Sequence, residues 1–201
     1  MGSERGDGAH RERWKEVDRM KVILLHGNGG SSAKEIWFPY IKRELETLSI
    51  EVIARDFPDA YIAREKFWLP FLKNELHADD QSILIGHSSG AVAAMRFAEK
   101  NKIFGSVLVG ACYTDLGDAV ERESGYFNRP WDWESIKKNQ NWIIQFASID
   151  DPYIPVEEAR VVHKQLDTQY YESTDRGHFG GDINMTEFPE LLEALKKKLN
   201  I

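Results

Sequence analysis

A serine held between two glycines, Gly86-His87-Ser88-Ser89-Gly90, follows the apolar run Ser82-Ile83-Leu84-Ile85 and precedes Ala91-Val92-Ala93-Ala94-Met95-Arg96-Phe97-Ala98. The first run reads as a short strand and the second, rich in good helix formers, as a helix. A strand-to-helix turn with glycines beside the serine lifts its hydroxyl clear of the sheet, where it can attack a carbonyl carbon. A serine hydroxyl is a weak nucleophile, so it needs a base, and the base needs an acid to fix its tautomer. Ser88 is therefore the candidate nucleophile, provided that the chain supplies both partners.

Later strand ends supply them in a fitting order. The run Trp142-Ile143-Ile144-Gln145-Phe146-Ala147 reads as a buried strand and leads into Ser148-Ile149-Asp150-Asp151-Pro152-Tyr153-Ile154-Pro155. A further strand, Gln169-Tyr170-Tyr171-Glu172-Ser173, is followed by Arg176-Gly177-His178-Phe179-Gly180-Gly181. Ligands of parallel sheets bind outside the carboxyl ends of the strands, where these acids and this histidine fall. The order serine, acid, histidine is that of the α/β hydrolases. Asp151 is preferred as the acid because Asp151-Pro152-Tyr153-Ile154-Pro155 resembles the D-x-x-V-P turn that carries the acid in many of those enzymes; Asp150 is the reserve.

An oxyanion hole needs one amide from the residue after the nucleophile and one from the loop after an early strand. The early strand is Met20-Lys21-Val22-Ile23-Leu24-Leu25, running into His26-Gly27-Asn28-Gly29-Gly30. The expected donors are the amides of Ser89 and Asn28, with Gly29 as the alternative to Asn28. A phosphate-binding reading of this loop fails on spacing: G-x-G-x-x-G would need glycine at position 32, which is Ser32, and no Gly-Lys-Ser/Thr ending follows.

Taken together, Asn28-Gly29-Gly30, Trp68-Leu69-Pro70-Phe71, the pentapeptide around Ser88, Ser124-Gly125-Tyr126-Phe127, Arg129-Pro130-Trp131, Asp150-Asp151-Pro152 and Gly177-His178-Phe179 resemble the family of small serine hydrolases that includes retinoblastoma-binding protein 9. The resemblance runs from about Lys21 to about Leu199. It implies a compact three-layer α/β-hydrolase fold with little or no lid, a triad of Ser88, Asp151 and His178, and no cofactor. Binding of a tumour-suppressor pocket protein through an L-x-C-x-E-like segment is not carried over, because Leu76-His77-Ala78-Asp79-Asp80 lacks both the cysteine and the glutamate. The loop from Gly180 to Met185 is read as longer than in that relative, next to the expected base.

Composition narrows the remaining classes. The chain has 201 residues, 42% of them hydrophobic, enough for one core with helices on both faces of a sheet. Short apolar runs alternating with helical patterns predict about six mostly parallel strands near 21–25, 51–55, 82–86, 105–110, 142–147 and 168–173. Helices are expected near 34–48, 61–76, 89–100, 131–138, 155–167 and 186–199. Residues 1–19 are too polar to bury and read as a disordered leader or a remnant of cloning, with a single domain over 20–201. The formal net charge of -7 argues against nucleic-acid and anionic-membrane partners, and Lys196-Lys197-Lys198 fits the end of a terminal helix. No apolar run spans a membrane or forms a secretory signal, and the lone Cys112 fits a reducing, intracellular setting such as the cytoplasm. No H-E-x-x-H or paired cysteines indicate a metal.

The segment from Tyr113 to Asn141 is long for a connection and rich in aromatics. Trp37, Trp68, Trp131 and Phe179 are expected to wall a substrate cleft, with core packing as the alternative. His87 and His26 stand where they would tune polarity near the serine. The expected chemistry is hydrolysis of a small ester, thioester or amide, of a small molecule or short peptide, through an acyl-enzyme. A catalytically silent interaction module and an acyltransferase using the same triad are the rivals.

Overall fold

The structure is a computed structural model and describes residues 20–201; the expectation for residues 1–19 lies outside the described residues. Six strands form one sheet: β1 (Lys21–Leu25), β2 (Glu51–Ile53), β3 (Ser82–His87), β4 (Gly105–Val109), β5 (Ile143–Ser148) and β6 (Gln169–Ser173). Their order is β2-β1-β3-β4-β5-β6, and every pairing is parallel. The expected sheet is thus found, with all rather than most of its pairs parallel.

Alternation along the strands divides the core between the two faces of the sheet. Ile23, Leu25, Leu84 and Leu108 pack on one side with the helix α3 (Ser89–Ala98). Val22, Leu24, Ile83, Ile85, Val107 and Val109 pack on the other with α1 (Phe38–Thr47) and α7 (Pro189–Leu199). The central strands are buried on both faces, as a parallel sheet covered by helices requires. This is the three-layer architecture expected of an α/β hydrolase. The chain leaves β1, adds β2 on one side and then β3 on the other, and this reversal opens a crevice at the carboxyl ends of β1 and β3.

Where the elements depart from expectation, local chemistry explains it. The helix expected over 61–76 is α2 (Glu65–Pro70) followed by a π-helical turn, Phe71–Glu75. Pro70 has no amide hydrogen to donate and crowds the preceding turn, which breaks the regular ladder there. The long segment after β4 contains α4 (Ala119–Ser124) and α5 (Trp133–Lys138), of which only the second was expected. The helix α6 (Val156–Leu166) joins β5 to β6. Among the described residues, no helix is long and apolar enough to cross a membrane.

One buried cation organises the segment that carries α4. Arg96, from α3, is 1% exposed and donates to the carbonyls of Tyr126 through Nε at 2.8 Å, Arg129 through Nη2 at 2.8 Å and Pro130 through Nη1 at 3.1 Å. Glu99 balances its charge, and the guanidinium lies 3.6 Å from the centre of the Trp131 ring. Carbonyls turned into a protein interior need such donors. Arg96→Met keeps much of the volume but strands these carbonyls and leaves Glu99 with only the Arg129 guanidinium at 3.5 Å and the Asp132 amide at 3.1 Å. Loss of about 3–5 kcal/mol is expected, measured as a lowered urea midpoint.

Candidate active site

The turn after β3 is tightly determined. Ser88 has φ 55° and ψ -123°, a conformation that a side-chain-bearing residue rarely adopts. Its amide donates to Val109 O at 2.9 Å, tying the turn to the neighbouring strand. A Cβ on Gly90 would fall 2.2 Å from the carbonyl oxygen of Leu25, and one on Gly86 would fall 2.4 Å from the backbone of Gly90. The pentapeptide glycines thus let α3 start directly against β1.

The acid and histidine are brought together across two loops. The Nδ1–H of His178 donates to Asp151 Oδ2 at 2.7 Å, with the two side chains 12% and 3% exposed. Asp151 Oδ1 accepts from the amides of Tyr153 and Ile154 at 2.9 and 3.0 Å, so backbone donors orient the carboxylate. Asp150, the reserve, has a different task. Its Oδ1 accepts from the Ser148 hydroxyl and from the Gly177 amide, and Ser148 Oγ in turn accepts from the Arg176 amide. This clips the start of the histidine loop to the end of β5, and the Ser148 hydroxyl holds the Asp150 carboxyl below its ordinary range. Asp182 secures the other side of the loop by accepting from the His178 amide at 2.8 Å.

His87 and His26 both serve as buried, neutral spacers. The Nε2–H of His87 donates to the carbonyl of His178 at 2.6 Å, and the two rings lie 4.7 Å apart. Burial, reinforced by His178 nearby, pushes the His87 imidazole down to about 3. His26 donates from Nδ1 to Gly27 O and accepts the Phe57 amide at Nε2, both at 2.8 Å. That bridge ties the loop after β1 to the segment after β2, and burial lowers the His26 pKa. In the same loop the Gly29 amide donates to Tyr61 O at 3.1 Å, which commits it elsewhere. The Asn28 side chain donates to Glu121 Oε1 at 2.7 Å.

Ser88, Ser89, Asn28, Gly29 and His178 all line one cavity of about 620 Å3. The expected aromatic walls stand elsewhere, which corrects that expectation. Trp37, Trp68 and Phe179 are fully buried, and each indole N–H is taken by a backbone carbonyl, Trp37 by Phe179 O and Trp68 by Pro58 O. Trp131 donates to Tyr113 O and stacks on Trp133. Core packing thus accounts for Trp37, Trp68 and Phe179, and Trp131 is half-buried against the core cluster that holds Trp68. Three residues were missed as contributors: Glu121, Asp182 and Gly110. A Cβ at Gly110, which has φ +58°, would lie 3.1 Å from His178 Cε1, so the glycine makes room for the ring. Its place directly after β4, beside the serine-bearing strand, was the available signal.

A buried histidine with a depressed pKa carries a pH signature. The unfolded chain takes up the proton near 6.5 while folded His87 resists it down to about 3, so stability is full above 6.5 and falls as the pH drops through that window. His87→Gln, which can still donate to the His178 carbonyl, should reduce the decline in urea-unfolding free energy between pH 6.5 and 4, leaving the part due to His26. An unchanged slope would refute the assignment.

A family model described as serine hydrolase matches residues 22–197. Serine hydrolase RBBP9 of Rattus norvegicus is 47% identical over 181 residues, covering 89% of this chain and 95% of that protein. The ydeN gene product of Bacillus subtilis superposes with a TM-score of 0.82 at 24% identity, over 90% of this chain and 100% of that one. Est1E of Butyrivibrio proteoclasticus, solved with ferulic acid bound, superposes with a TM-score of 0.70 at 14% identity, over 90% of this chain and 88% of that one. The last two likenesses concern the fold alone, which is that of the α/β hydrolases. With a family match across most of the chain and a relative near half identity, this protein is a hydrolase and belongs to the serine hydrolase family.

Proposed function

We propose that the protein cleaves a small ester, thioester or amide through an acyl-enzyme, with Ser88 as nucleophile, His178 as base and Asp151 as the group that orients the base. The observation that carries this reading is the Nδ1–H···Oδ2 bond of 2.7 Å between His178 and Asp151, made by a histidine that lines the same cavity as Ser88. That bond fixes the tautomer in which Nε2 is free to accept a proton. Ser88 Oγ adds to the carbonyl carbon as its proton passes to Nε2. The tetrahedral intermediate then collapses, the bond to the leaving group breaks, and the proton goes to the departing atom. Water repeats the sequence to free the acid and Ser88. Nucleophile-to-base bonds are often loose without substrate and close in the complex.

The developing oxyanion is met by the amides of Asn28 and Ser89. Ser89 begins a ten-residue helix, whose first amides and dipole favour negative charge. The Glu121 bond to the Asn28 side chain steadies the other donor. A cavity of about 620 Å3 suits a small molecule or the end of a short peptide. Asp118 and Glu121 line it, and among the described residues no lysine or arginine does, so anionic acyl groups are disfavoured. Burial raises the Glu121 pKa, a sign that this carboxylate is already short of water.

A fluorophosphonate probe should label folded wild-type protein at Ser88, with labelling abolished in Ser88→Ala and reduced by at least about a hundredfold in His178→Ala. Folded but unlabelled wild type would point to an interaction module, and release of acyl product onto an added amine rather than water would mark an acyltransferase. Activity should fall towards acid pH as the base protonates; a flat profile of kcat/KM would remove His178 from the role. Neutral acyl esters should outpace isosteric anionic ones by about tenfold, and Glu121→Gln should narrow that ratio.

A further inference from the structure

Two cavities open on the candidate catalytic groups, and their walls differ. The first, described above, contains Ser88, Asn28 and Ser89 together with Cys112, Leu116 and Glu121. The second, about 490 Å3, lies between the segment at 31–38 and the loop at 180–186, and it is lined by Ile36, Phe38, Met185 and Thr186 among others. Gly27, Ser31, His87, Tyr153 and His178 belong to both, so the cavities meet at the expected base. Ser88, Asn28 and Ser89 line only the first.

The geometry points to a substrate divided at its scissile bond, with the acyl group in the first cavity and the leaving group in the second. This assignment rests on the acyl-enzyme reading. The carbonyl carbon must reach Ser88 Oγ while its oxygen meets the amides of Asn28 and Ser89, and all three belong to the first cavity. The departing atom takes its proton from His178 as its bond to carbon breaks, so the group attached to it lies on the side of the base. That is where the second cavity begins.

The chemistry of the second cavity selects its occupant. Ile36, Phe38 and Met185 give it an apolar body, and Ser31, Ser32 and Thr186 add hydroxyls. The carboxylates of Glu35 and Asp182 also line it, with no lysine or arginine among the described residues. Asp182 is engaged by the His178 amide, and Glu35 accepts from the Ser32 amide at 3.2 Å. An uncharged alcohol or amine with an apolar body fits this lining. A phosphorylated leaving group, such as the thiol of a coenzyme A thioester, would face two carboxylates and no compensating cation.

Two series of esters test the division. In one, a constant acyl group is joined to alcohols growing from methanol to naphthylmethanol. In the other, methyl esters carry acyl groups growing from acetyl to hexanoyl. Thr186→Trp and Ser32→Trp narrow the second cavity from opposite walls, both at positions outside the buried core. After thermal melts establish that each variant is folded, kcat/KM for the bulkiest alcohol should fall about tenfold relative to the methyl ester. The ratios along the acyl series should stay within about twofold of wild type. A shift along the acyl series instead, or no shift along either, overturns the assignment. Ser88→Ala on the same esters separates the two failures: hydrolysis that survives it refutes the acyl-enzyme reading, whereas hydrolysis that depends on Ser88 without the alcohol-series shift refutes only the subsite.

Discussion

The contact on which the site depends is the approach of the Gly90 backbone to the end of β1. Ser88 is held in an unfavourable conformation, and such strain persists only where the surroundings over-determine it. Here the determination comes from three directions. Gly90 lies against the carbonyls of Leu25 and His26, the Ser88 amide is taken by Val109 O on β4, and α3 is buried along its whole length. The same approach brings the loop after β1 alongside the serine, so a Cβ on Gly27 would lie 3.3 Å from Ser88 Cβ. One tight helix start therefore sets both the height of the hydroxyl and the position of the Asn28 amide.

Around that turn the polar groups are arranged so that few of them carry charge. His26 and His87 each make hydrogen bonds suited to a neutral ring, and burial keeps them neutral. Each connects backbone segments that are far apart in sequence. The carboxylates are arranged differently: Asp151 takes two amides and the His178 ring, while Asp150 takes an amide and a hydroxyl. Two adjacent acids thus divide the work, one facing the imidazole and one clipping the loop that bears it.

Much of this was legible in the chain itself. Strand positions, the parallel sheet and the serine turn follow from short apolar runs and flanking glycines, because these features depend on local chemistry. The meeting of Asp151 with His178 could be anticipated because both fall at strand ends of a parallel sheet, and the D-x-x-V-P resemblance pointed to Asp151 rather than Asp150. The tryptophans misled because composition reports how much aromatic surface exists, not which side of it meets solvent. Trp37 and Phe179 even pair with each other through Nε1 and a carbonyl, 142 residues apart in sequence, a contact that no periodicity reveals. Glu121 and the two-part cavity depend on how loops fold over the sheet, and loops carry little periodic signal. Pro70 was readable as a breaker, but the π-helical turn that follows reflects how the chain recovered its hydrogen bonds.

The His87 to His178 bond also governs when the site can exist. It joins residues 91 positions apart, across β4, β5, β6 and the helices between them. During synthesis the serine turn emerges first, with a seat already available against β1, but His178 arrives only after nearly half of the chain has followed. A growing chain therefore carries the serine turn without His178 beside it, and the two come to line one cavity only once the sheet is complete.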